Sequence, residues 1–466
     1  MERRTQEPLE GPAVRRPPGT RPRGRPLRNA SSTSPVSVCV ESFAWGGRAV
    51  ARHEGKVLFV AQAVPGDKVL CRLEKVKSSY AEGRVTAVLS PSPRRVEPKC
   101  KFFGHCGGCQ WLAAEYSLQL EQKEALVRQS LRAHLPGAEL EPIVAAEPPR
   151  AYRHRGDFHV RPSGDGVLVG FYMESSHRLV NLDVCLLFDG AFNNRYASLR
   201  RVLQSCPAAR HLAGFTLARS EEGEHYALHL RVMDAILPED PLRLLNAAQA
   251  AGLAHSLVTP VRDPSSILAR QGEPSVTYSL PGHRGGAIDL RADVRSFTQA
   301  HYGLNRSLVD SAMRFLSPSL GQRILDLYSG IGNFTIPLAE AGAEVTAVES
   351  SPFAHADAAA NAARIPRNRI RHLQGDAGQW TARLSEGGES FDAVLLDPPR
   401  TGAKEVLPGL LRLAPSRILY VSCNLPALER DLGRLREGGY VLRRLRAFDA
   451  FPQTYGVETL ALLTRA

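Results

Sequence analysis

The chain is 466 residues long, enough for two or three domains. Hydrophobic residues make up 43%, sufficient for ordinary cores. No uninterrupted apolar run reaches the roughly 18 residues that a membrane helix needs, which excludes such a span. The net charge of +12 points to an anionic partner such as nucleic acid.

Residues 1–35 hold eight Arg, three Glu and seven Pro with few large apolar residues. This composition predicts a disordered basic tail open to RNA phosphates. It has no apolar h-region, and Glu2, Glu7, Glu10 and the prolines argue against an amphipathic transit helix.

Residues 36–95 are expected to form a small β-barrel. Alternating runs at 36–40, 56–60, 68–73 and 82–89 are separated by turn signals such as Trp45-Gly46-Gly47, His53-Glu54-Gly55 and Pro65-Gly66-Asp67. Five strands of the oligonucleotide-binding kind fit this spacing, with Lys75, Lys77 and Tyr80 facing out. Residues 96–290 are expected to be a central α+β domain, opened by a cysteine cluster and a helix beginning near Ala113. Strand-like runs at 152–161, 167–172 and 225–232 alternate there with helix-like runs at 191–205 and 241–252.

From 291 to 466 the pattern becomes strand, turn, helix, repeated. Strands are expected at 324–327, 344–349, 369–374, 393–397, 417–422 and 440–448. Such alternation predicts an α/β fold with a doubly wound, mainly parallel sheet. Ligands in such sheets lie outside the carboxyl ends of the strands.

Those strand ends carry the chemistry. Gly330 and Gly332 follow the first strand in a turn that lets backbone approach a ligand. Glu349 ends the second strand, 19 residues after Gly330, where an acidic group binds ribose hydroxyls. Asp376 follows the third strand, at a common place for adenine. The strict three-glycine spacing of a nicotinamide site is absent. Leu396-Asp397-Pro398-Pro399-Arg400 forms a rigid polar lip after the fourth strand.

Cys423 ends the fifth strand, and a lowered pKa would make it a nucleophile. Glu458 opens the apolar run 459–463, where a carboxylate with a raised pKa is a candidate base. Cys100, Cys106 and Cys109 cluster, and with a fourth thiolate from elsewhere in the chain such a set suits either an iron–sulfur centre or zinc. Scattered cysteines argue for a reducing compartment, so a cytoplasmic location is expected.

The segments 325–338, 396–402, 421–432 and 457–463 strongly resemble the RNA uracil-5-methyltransferases that use S-adenosyl-L-methionine. Residues 36–95, with Gly47-Arg48-Ala49-Val50-Ala51-Arg52-His53-Glu54-Gly55-Lys56, look like the TRAM domain of many such enzymes. Phe297-Thr298-Gln299-Ala300 followed by Asn305 is similar to the family's entry into its catalytic domain. The resemblance implies a class I methyltransferase domain with Cys423 as nucleophile and Glu458 as base. Gln299, Tyr328, Asn333, Glu349, Asp376 and Asp397 match cofactor-contacting positions. Cys100, Cys106, Cys109 and distant Cys185 match the ligands of a [4Fe–4S] cluster. Ser329, where many relatives have Cys, and Tyr455-Gly456, where a His pair or Pro-His is frequent, depart from the pattern.

The expected function is transfer of a methyl group to carbon 5 of an RNA uridine through a covalent Cys–uracil adduct, on a monomer with neither DNA nor membrane as partner. The TRAM domain together with the cysteine pattern resembles the 23S ribosomal RNA enzymes more than the transfer RNA enzymes. Transfer RNA methylation, a non-catalytic iron–sulfur RNA-binding protein and a methyltransferase for a small molecule or protein are the alternatives.

Overall fold

A computed structural model describes residues 34–466 apart from Asp234, Arg284 and Arg367. Nearly all of the expected tail 1–35 therefore lies outside the described residues. The first strands, Val36–Phe43, Ala49–His53, Lys56–Ala61, Lys68–Val76 and Tyr80–Ser90, close into a five-stranded barrel. Alternation sends Val38, Val40, Leu58, Val60, Val69 and Cys71 inward. Sequence reading missed Ala49–His53, whose five residues are flanked by glycine turns. Phe43 leaves the barrel to stack on Trp111, with centroids 4.2 Å apart, so barrel and following segment share one core.

The next helix runs Tyr116–Leu131, three residues later than expected, because Ala114 is taken into a bridge with Arg95. It packs beside the helix Leu425–Glu437, and the short strand Glu139–Leu140 adds to the edge of the C-terminal sheet. Lys123 on this helix is fully buried in an ion pair with Asp449 and also donates to the Phe451 carbonyl. Tyr116 Oη donates to Asp449 at 2.7 Å. The first half of the chain therefore grips the loop leading to Glu458.

The central sheet has seven strands in the order Ala269–Gln271, Ser256–Pro260, Tyr226–Val232, Leu212–Arg219, Arg155–Ser163, Gly166–Tyr172 and Leu179–Asn181. Helices Gly190–Gln204 and Asp240–Ala250 share its core. The hairpin Ser275–Pro281 and Ala287–Asp293 straddles the boundary at 290 expected for the central domain. Its Val276, Tyr278, Ile288 and Leu290 instead pack in one core with the helix Tyr302–Leu316 and the C-terminal sheet.

That sheet has eight strands ordered Ile370–Gln374, Glu344–Glu349, Arg323–Leu327, Ala393–Leu396, Arg417–Ser422, Glu458–Arg465, Tyr440–Phe448 and Glu139–Leu140. The first five are parallel, and Glu458–Arg465 is antiparallel to both neighbours. The parallel strands are near-continuous apolar runs because helices cover both faces. Among the described residues no helix is long and apolar enough to cross a membrane.

Candidate active site

The ladder between Arg417–Ser422 and Glu458–Arg465 pairs Ser422 with Thr459, which places the next residues outward, Cys423 and Glu458, opposite one another. Thr459 Oγ1 donates to the Ser422 carbonyl at 2.9 Å and ties the two ends together. Asn424 then begins the helix Leu425–Glu437, whose Pro426 suits the first turn. Asn424 Nδ2 donates to the Arg400 carbonyl at 2.7 Å, drawing in the lip after Asp397. Buried Asp431 holds that lip by accepting from the Ala403 amide and from Tyr420 Oη, each at 2.8 Å. Gly402 completes the turn at φ +84°, where a Cβ would lie 2.6 Å from the Asp431 carboxylate.

Cys423, Glu458, Asp397 and Arg400 are close enough to set one another's charge. Burial, with Asp397 next in weight, raises the Glu458 carboxyl well above its usual range, and Arg400 opposes this. Burial and the neighbouring Asp326 push Asp397 up to about 7. The Cys423 thiol is pushed up to about 11 by burial, then by Glu458 and Asp397, while Arg400 lowers it. The carboxyl therefore titrates in the direction expected. The thiol does not: the sequence reading sought a lowered pKa, but two carboxyls beside a buried sulfur disfavour the thiolate.

Cys423 opens onto a cavity of about 310 Å³ built from all parts of the chain. Trp45 comes from the barrel, Gly107, Gly108 and Gln110 from the cysteine loop, and Arg153 from the central domain. Phe451, Thr454 and Tyr455 come from the loop before Glu458. Gln110 Oε1, Arg153 Nε and Asn424 Oδ1 are buried there without a hydrogen-bond partner among the described residues. Buried polar atoms need partners, and this mixture of donor and acceptor atoms suits the polar edge of a base. In the sequence Trp45 is legible only as part of a turn and Arg153 only as part of a strand-like run; both reach the cavity through tertiary folding.

The expected cofactor positions lie at neighbouring strand ends. Tyr328 has φ +63°, a strained conformation for a non-glycine residue and a common one at functional sites. A Cβ on Gly330, at φ +56°, would meet nothing within 4 Å, so the turn leaves open space beside it. The Glu349 carboxylate accepts from the Gly330 amide at 2.9 Å and the Ser351 amide at 2.6 Å. Asn333 is paired with Asn305 by two bonds of 2.8 and 3.0 Å and accepts from Tyr278. Asp376 caps the helix Ala377–Glu386. Gln299 shares a small cavity with Glu458. A strained strand end, an open glycine turn, half-buried Glu349 and exposed Asp376 fit a nucleoside-bearing cofactor.

Cys100, Cys106, Cys109 and Cys185 are brought together around one largely apolar cavity of about 140 Å³, with Arg153 also in its wall. Burial raises Cys109 and pushes Cys185 up to about 11; the neighbouring thiols add to this, and Arg153 opposes it. Among the described residues no three His, Cys, Asp or Glu side chains converge closely enough to hold a single metal ion.

Comparison with known proteins shows the family of the chain. The tRNA (Uracil-5-)-methyltransferase family matches residues 115–466 and the TRAM domain matches residues 33–86. The 23S rRNA (uracil(1939)-C(5))-methyltransferase RlmD of Alkalilimnicola ehrlichii is 34% identical over 443 residues, covering 92% of this chain and 97% of that protein. The protein of the same name from Pectobacterium atrosepticum is 34% identical over 444 residues, covering 93% and 95%. The crystal structure of Pyrococcus abyssi tRNA (uracil-54, C5)-methyltransferase with S-adenosyl-L-homocysteine shares the fold at a TM-score of 0.69 and 23% identity, covering 92% of this chain and all of that one. The chain therefore belongs to the tRNA (uracil-5-)-methyltransferase family and carries a TRAM domain.

Proposed function

We propose that this chain transfers a methyl group from S-adenosyl-L-methionine to carbon 5 of a uridine in 23S ribosomal RNA, with Cys423 as nucleophile and Glu458 as base. The observation that carries the reading is the placement of Cys423 opposite Glu458, at the carboxyl end of a sheet whose adjoining strands end in Tyr328, Glu349 and Asp397. Ribosomal RNA is preferred to transfer RNA because of the names of the relatives that match nearly end to end.

Carbon 5 of uracil is too weak a nucleophile to be methylated directly. Cys423 gives up its proton to solvent as its sulfur bonds to carbon 6, and the ring's electron pair moves onto carbon 5 and oxygen 4. S-Adenosyl-L-methionine supplies the methyl group as an electrophilic sulfonium substituent. Carbon 5 takes that methyl, leaving S-adenosyl-L-homocysteine; Glu458 removes the remaining carbon 5 proton, the carbon 6–sulfur bond breaks with its electron pair on sulfur, and the thiolate regains a proton from solvent. The base must leave its stack to reach Cys423, and the cavity under Trp45 and Tyr455 would receive it. Tyr328, Glu349, Asp376, Asn333 and Gln299 are read as the residues that hold the cofactor, with Asp397 between cofactor and base.

Cys100, Cys106, Cys109 and Cys185 are read as ligands of a [4Fe–4S] cluster. What supports the reading is that all four thiols line one largely apolar cavity, a donor set that cubane clusters use. A reduced cytoplasmic setting suits such thiols, and no residue above requires a second copy of the chain.

Incubating the protein with labelled S-adenosyl-L-methionine and unmodified 23S ribosomal RNA or transfer RNA transcripts tests the reading. Label recovered as 5-methyluridine in the ribosomal transcript supports it. Label only in transfer RNA replaces the substrate, and label in neither removes the activity.

A further inference from the structure

Glu458 is 3% exposed, so a proton it takes has no direct contact with bulk water. Gln299, Ala300, His301, Leu304, Asn305 and Phe448 line with it a small space of about 10 Å³. That is about the room one water molecule occupies.

His301 is a buried polar group in that wall with an unspent hydrogen bond. Its ring is 8% exposed and stacks on Tyr152, with centroids 5.1 Å apart. It stands at the N-cap of the helix Tyr302–Leu316, where its Nδ1 accepts from the Leu304 amide at 3.2 Å. An accepting Nδ1 leaves the proton of the neutral ring on Nε2. Nε2 is buried and has no partner among the described residues. The cap therefore fixes the tautomer and leaves one donor for the small cavity.

We propose that His301 is a positioning residue for the base: its Nε2–H holds a single water that donates in turn to the Glu458 carboxylate. The inference rests on Glu458 being the base. The water favours the ionised carboxylate, which removes the carbon 5 proton, against the burial and the Asp397 charge that favour the protonated form. His301 stays neutral in this role, since burial pushes it down to about 4. Asp397, Arg400 and Cys423 face Glu458, and Asp449, Arg306 and His154 face His301. None of these changes when residue 301 is replaced.

His301→Asn isolates the donor, because Asn is a good N-cap and preserves the bond to Leu304 while removing Nε2–H. Release of 5-methyluridine from unmodified 23S ribosomal RNA transcript is measured from pH 6 to 9, with adduct followed on denaturing gels. His301→Asn should slow release roughly tenfold at pH 7, raise the acid limb by about one pH unit and accumulate methylated adduct. Cofactor affinity and melting temperature should stay at wild-type values. His301→Gln, whose longer amide brings an N–H back towards the cavity, should recover part of the loss. An acid limb at the wild-type position in His301→Asn overturns the proposal, whatever its overall rate. A wild-type protein whose release has no acid limb, or a Glu458→Gln variant that releases product normally, overturns the base assignment instead.

Discussion

Cys423 and Glu458 stand one step beyond the last rung of one ladder. Ser422 pairs with Thr459, so the thiol and the carboxyl 35 positions apart in the chain stand opposite each other where two antiparallel strands end. Opposed residues in such a ladder project to the same side. The end of the ladder therefore sets where the proposed nucleophile and base stand relative to one another.

Replacing Glu458 with Gln should separate stability from function. A buried carboxyl with a raised pKa binds its proton more tightly in the folded than in the unfolded chain. Its stabilising contribution is therefore full below the unfolded value and declines as pH rises from there towards the folded value. Glu458→Gln removes that loss, so its melting temperature should exceed wild type by more at pH 8 than at pH 5. The same variant should accumulate methylated adduct on ordinary uridine RNA. An equal melting difference at both pH values contradicts the shift, and free product at the normal rate contradicts the role.

Breaking the Lys123–Asp449 pair should cost more than a surface ion pair. Both side chains are fully buried, and removing one strands the other charge. Lys123→Met should destabilise the protein by about 3–5 kcal/mol in denaturant unfolding. Lys123→Met combined with Asp449→Asn should recover part of that. Additive losses in the double variant would show that the pair is not coupled.

The barrel reaches into the site as well as carrying basic residues. Lys75 and Arg84, legible in sequence as basic, are paired with Glu82 and Glu74 at 3.2 Å each, whereas Lys77 is exposed over the Tyr80 ring. Trp45 packs edge-on against Tyr455, with centroids 5.2 Å apart, above Cys423. Trp45→Ala should therefore reduce turnover at saturating RNA as well as affinity, whereas Lys77→Ala should weaken binding alone and lower its salt dependence. Normal turnover in Trp45→Ala would return the barrel to a purely binding role.

Anaerobically purified protein should be brown, with about four irons per chain. Cys106→Ser should lose the colour and most of the iron, read by absorption and metal analysis. Stoichiometric zinc without iron would keep the four thiols as ligands and remove the cluster.

Much of this architecture was legible because local signals and tertiary demand agree. The parallel strands Arg323–Leu327, Glu344–Glu349 and Arg417–Ser422 are short apolar runs closed by glycine or polar residues, and the chemistry sits where those runs stop. Leu212–Arg219 and Ser256–Pro260 were missed: the first follows a 3-10 turn with no sharp turn signal, and the second is five residues long. Arg153 could not be read from its neighbours, since it matters through Cys423 on one side and Cys185 on the other. His301 had a local signal, a ring at the first position of a strong helical pattern, but its free nitrogen appears only once Glu458 is placed beside it. The direction of the Cys423 shift also needed the fold, because it arises from Asp397 and Glu458 on two other strand ends.

The most direct test of the central claim is covalent trapping. The full chain is incubated with S-adenosyl-L-methionine and a 23S ribosomal RNA transcript made with 5-fluorouridine, which leaves Glu458 no proton to remove. The account predicts a denaturation-resistant protein–RNA complex whose crosslinked peptide contains Cys423, and no complex with Cys423→Ala that still binds cofactor normally. A methylating wild-type enzyme that forms no such complex, or a crosslink mapping to another residue, would contradict it.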